Sequence, residues 1–102
     1  MRVEFRFELS QLEVPRFAVE AIEGIGKLFS LATLVLNVLA TNRKVEIVFH
    51  GLNPEDPESK INAFREIIAG SALLPPLDYA LGKGGHVAGS SSYYRWVTIS
   101  SR

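Results

Sequence analysis

A chain of 102 residues, 47% of them hydrophobic, has enough apolar material for one folded domain and too much for a disordered tail. Its 11 basic and 11 acidic residues cancel and are interspersed, so the electrostatic footprint of a nucleic-acid or anionic-membrane binder is missing. With no cysteine, disulfides, thiolate catalysis and cysteine-based zinc sites are excluded.

The first residues, Met1 to Glu8, alternate charge and do not form a signal peptide. Val3, Phe5, Phe7 and Leu9 alternate with Glu4, Arg6 and Glu8, which predicts a strand with one buried and one wet face. Ser10 to Glu13 reads as a turn. From Pro15 to Thr41 the polar residues Arg16, Glu20, Glu23, Lys27, Ser30, Asn37 and Thr41 recur in steps of four and three, with a beat missed at Leu34. That period predicts one long α-helix with a narrow wet edge. Pro15 suits its first turn, Gly24 and Gly26 weaken it, and Asn42 stops it. The longest uncharged run, Leu28 to Asn42, is too short to span a membrane and holds Ser30, Thr33, Asn37 and Thr41.

Lys44 to Gly51 predicts a second strand, with Val45, Ile47 and Phe49 on one face and Glu46, Val48 and His50 on the other. Asn53-Pro54-Glu55-Asp56 reads as a helix start, and the helix runs through Ile61, Phe64, Ile67 and Ile68 before failing near Gly70 to Leu74. Pro75-Pro76 bars its continuation. Residues 75–92 read as a long connection, flexible from Gly82 onward, and Tyr93 to Ser100 as an aromatic, β-branched strand. The fold expected is a small two-layer α/β sandwich of residues 1–102, β-α-β-α-β, with two helices on one face of a three-stranded sheet. A rival reading makes Ala32 to Ala40 a strand hairpinned to residues 44–50, giving the ferredoxin-like order β-α-β-β-α-β.

His50 is the catalytic candidate: it ends a strand, precedes Gly51, and has Asn53, Glu55 and Asp56 close by to orient it. No nucleophile with a recognisable context accompanies it. Lys83, Gly84, Gly85 and His86 could hold an anion through backbone N–H groups, although their spacing is not that of a phosphate-binding motif. Ser90, His86 and Asp78 make a triad only on paper. His50 and His86 fit no metal-ligand spacing, and neither a metal nor a cofactor is expected.

Tyr93, Tyr94 and Trp96 around Arg95 are the clearest interaction signal, because these residue types concentrate at binding hot spots. If Val97 and Ile99 are buried, Tyr94 and Trp96 face away from the core. The long helix shows more apolar surface than a small sheet can cover, which adds Leu31, Leu34 and Val38 to the expected interface. The function expected is that of a cytoplasmic, non-enzymatic protein-interaction or inhibitor/regulatory module, bound to a protein partner or to itself as a homodimer or higher oligomer, and to neither nucleic acid nor membrane. The alternative is a small-ligand-binding domain or small enzyme with its site at the strand ends, around His50 and a Gly82–His86 loop.

Overall fold

The structure, a computed structural model, describes residues 5–9, 14–20, 25–70 and 77–101. Its elements in chain order are β1 (Phe5–Leu9), β2 (Pro15–Glu20), α1 (Ile25–Leu39), β3 (Lys44–Leu52), α2 (Ser59–Ala69), β4 (Leu77–His86) and β5 (Tyr93–Ser101). The strands form one five-stranded mixed sheet in the order β1-β2-β3-β5-β4. β1 runs antiparallel to β2, β2 parallel to β3, and β5 antiparallel to both β3 and β4. The chain leaves β3 through α2, arrives at the far edge as β4, and returns as β5 to fill the gap.

The core shows why this is a two-layer protein. Phe17 and Val19 of β2, Val45, Ile47 and Phe49 of β3, and Val97 and Ile99 of β5 are buried on one sheet face. They form a single cluster with Leu28, Leu31 and Val35 of α1 and Ile61, Phe64 and Ile68 of α2. Both helices therefore cover the same face. The Phe49 and Phe64 rings meet edge to face at 5.6 Å, an arrangement their quadrupoles favour. The two-layer architecture with two helices on one face is the expected one; the sheet has five strands rather than three.

The two extra strands are β2 and β4. Residues 15–20 are strand, not helix. Pro15, Phe17 and Val19 are buried and alternate with half-buried Arg16, Ala18 and Glu20. A four-residue step between Arg16 and Glu20 fits a period of two as well as one of 3.6, which is how the helical reading extended too far. Pro15, which cannot donate to a ladder, sits at the strand's first position. Residues 77–86 are also strand rather than connection. Leu77, Tyr79 and Leu81 alternate and pack against the core.

The glycines of this segment serve close packing as much as freedom. A Cβ on Gly84 would strike the Tyr93 hydroxyl and lie 2.8 Å from the Tyr94 carbonyl oxygen. One on Gly82 would come within 3.2 Å of the Trp96 Cβ.

The helix through Leu39 removes the ferredoxin-like alternative, since residues 32–39 are helical. Asn42 does stop α1: its backbone N–H and its side-chain Nδ2 both donate to the Val38 carbonyl, at 2.9 and 3.0 Å. The second helix starts at Ser59, later than Asn53. Pro57 disfavours helical backbone at Asp56, so Asn53 to Asp56 closes a turn instead, with Asp56 N–H donating to the Asn53 carbonyl at 3.0 Å. Among the described residues no helix is long and apolar enough to cross a membrane.

Candidate functional site

The sheet face away from the helices carries the candidate site. Burial of Val97 and Ile99 sends the alternate residues Tyr94 and Trp96 to this open face. The register then sets Ala18, Val48 and Trp96 side by side on β2, β3 and β5. Together with Arg16, His50, Tyr94 and Val87, they line a shallow hollow of about 450 Å³. Val48 is only 6% exposed although it faces away from both helices, so its neighbours on this face already cover it.

Arg16 is fixed over the hollow from two sides. Its Nε and Nη2 donate to one carboxylate oxygen of Glu46 at 3.1 and 2.9 Å. Its guanidinium carbon lies 4.6 Å from the centre of the Trp96 ring. A half-exposed ion pair of this kind adds little stability. Its effect is positional: it holds a flat cation against an indole face, where the ring quadrupole attracts it.

The other candidates are placed as follows. His50 borders the hollow, with its ring 6.0 Å from that of Tyr94. Among the described residues no carboxylate or hydrogen bond orients it. The Asn53 side chain is occupied, accepting the Glu55 N–H at 3.0 Å, and Glu55 and Asp56 are exposed in the turn. Lys83, Gly84, Gly85 and His86 lie within β4 and form no loop. The His86 ring stands edge-on to Tyr93 at 5.3 Å, and Tyr93 packs toward the helices, so His86 and His50 sit on opposite faces. Asp78 and His86 occupy the two ends of β4, about 25 Å apart at the usual strand rise, so they do not meet in a triad. The Ser90 hydroxyl accepts the Ser92 N–H at 3.0 Å within a turn. Among the described residues no group of three or more His, Asp or Glu side chains could hold a metal ion.

The outer surface of α1 is less apolar than the sequence implied. Leu31 is fully buried and belongs to the core, not to an interface. Val38 is half-buried against that core. Leu34 and Phe29 are exposed, but five residues of helix turn them about 140° apart, so they form no broad patch. The surplus vanished because the helix is 15 residues long and its apolar stripe is covered.

Arg16, Ala18, Val48 and Val87 were not expected at the site. Val48 was the available signal: an apolar residue on an otherwise polar strand face. At the strand ends, where Gly51 adopts a φ of 73°, Asn53, Lys60 and Ser90 to Ser92 line a second, more polar hollow of about 470 Å³. No family model matches the sequence, and no curated protein or solved structure matches it either.

Proposed function

We propose that this chain is a non-enzymatic protein-interaction or regulatory domain that self-associates, and that the open sheet face centred on Trp96 is its contact surface for a protein. The observation that carries the reading is the row Ala18, Val48 and Trp96, with Tyr94 beside it and Arg16 laid over the indole. Tyr, Trp and Arg give large contact areas with few rotamers to freeze, which is why they dominate hot spots. The lack of an orienting partner for His50 among the described residues supports a non-catalytic role. A cytoplasmic setting is proposed on the cysteine-free composition.

Trp96 is the only tryptophan, so its fluorescence reports on this face alone. Covering the face with protein is expected to shift its emission to the blue and to protect it from acrylamide quenching. Trp96→Ala is expected to abolish capture of that protein while leaving the fold intact, and His50→Ala, at the border of the hollow, to weaken capture far less. Capture that survives Trp96→Ala removes the open face from the reading.

A second reading, a small-ligand site, is favoured by the size of the hollow, which falls within the usual range for such sites. It predicts the opposite ranking, with His50→Ala the damaging change.

A further inference from the structure

We propose that the hollow at the strand ends, lined by Asn53, Lys60 and Ser90 to Ser92, binds the phosphate group of a small hydrophilic molecule. None of its lining residues belongs to the hollow around Trp96, so the site stands apart from the contact surface proposed above.

Four of the lining residues still have N–H or O–H groups to donate. The Asn53 Oδ1 already accepts the Glu55 N–H at 3.0 Å, which leaves the amide NH2 as its free end. The Ser90 Oγ already accepts the Ser92 N–H at 3.0 Å and keeps its own proton to give. Ser91 is exposed, and among the described residues neither its backbone N–H nor its hydroxyl has a partner. Lys60 is half-buried, and among the described residues no carboxylate pairs with it. It carries the one charge on the lining. Of the acids close in sequence, Glu58 is engaged by the Arg95 Nη1 at 3.3 Å, and Glu55 and Asp56 do not line the hollow. A tetrahedral oxyanion accepts hydrogen bonds from several directions at once and suits such a set. A purely apolar ligand would strip water from these donors and return nothing.

The turn that presents the serines is held by two bonds, from the Val87 N–H to the Ser92 carbonyl at 3.1 Å and from the Ser90 N–H to the Val87 carbonyl at 3.0 Å. A bare phosphate would fill only part of the hollow, whose volume of about 470 Å³ is that of a small-molecule site. No aromatic ring lines it, and Leu52 is buried at 3% exposure. The remainder of the ligand is therefore polar, as in a phosphate monoester of a sugar or polyol.

The test is an NMR titration of the whole isotope-labelled chain at about pH 7.5, where a phosphate monoester is mostly dianionic. Glycerol phosphate, inorganic phosphate and sodium chloride are added separately at matched ionic strength. Saturable shifts at the amides of Lys60, Ser91 and Ser92 are expected, at lower concentration for glycerol phosphate than for inorganic phosphate, with the Trp96 indole signal unmoved. Lys60→Gln is expected to weaken binding by roughly tenfold, about the worth of one charge-assisted hydrogen bond, and Lys60→Arg to retain most of it. Ser91→Ala, at an exposed position, is expected to weaken it severalfold and decides the matter if Lys60→Gln fails to fold. Shifts that chloride reproduces mean an adventitious ion only and overturn the proposal. So does saturable binding indifferent to both Lys60→Gln and Ser91→Ala. Inorganic phosphate binding as tightly as glycerol phosphate overturns the ester as ligand.

Discussion

Gly84 and Tyr79 show how much single side chains decide on β4. At Gly84 the backbone of β4 passes so close to Tyr93 and Tyr94 that there is no space for a methyl group. Gly84→Ala is expected to cost about 1–3 kcal/mol as an overpacking change, read as a lower urea midpoint at unchanged slope. Burial raises the pKa of Tyr79 above its ordinary value, and the nearby Arg65, stacked 4.6 Å from the ring centre, opposes that rise. The phenol is then harder to ionise in the folded chain than in the unfolded one. Its contribution to stability is whole below about pH 10 and is lost as pH climbs through the higher folded value. Urea melts between about pH 9 and pH 11.5 should show a shallower alkaline loss for Tyr79→Phe than for the parent. Neither feature was legible beforehand. Glycine content predicts freedom, and nothing in a sequence says that a tyrosine ring will lie across a particular Cα.

The elements were legible where a single period ruled. Val45, Ile47 and Phe49 alternate cleanly, and β3 is where the pattern placed it. Ile61, Phe64 and Ile68 recur at helical spacing, and all three are buried on α2. Errors arose where two periods coincide, at Arg16 and Glu20, or where composition masked a period, at Leu77, Tyr79 and Leu81. The same holds for the site: Trp96 and Tyr94 stand out as residue types, but their neighbours Arg16 and Ala18 belong to a strand whose pattern also fits a helix. Phe64 of α2 is fully buried and its ring meets that of Phe49 on the sheet. Phe64→Ala is expected to destabilise the chain by about 3–5 kcal/mol, and thermal unfolding followed by circular dichroism is the check. A smaller loss would mean that α2 re-seats to close the cavity.

Across the whole molecule, the two sheet faces differ in kind. One is closed by both helices, and the other carries a row of apolar side chains beneath an arginine. That asymmetry follows from topology. The connection from β2 to β3 through α1 and the passage from β3 to β4 through α2 lay both helices on one side. Composition alone indicated only that one face would be wet. Whether an apolar row interrupts it depends on cross-strand register, which brings Ala18, Val48 and Trp96 together from positions 30 and 48 residues apart.

The place of β5 between β3 and β4 also bears on how the chain is made. A ribosome delivers β4 before the strand that must separate it from β3, so for a time neither has its neighbour. During that interval the nascent sheet exposes β3 on one side and a solitary β4, the condition in which strands recruit the wrong partner. Only when the final hairpin slides in as a unit does the protein acquire its centre.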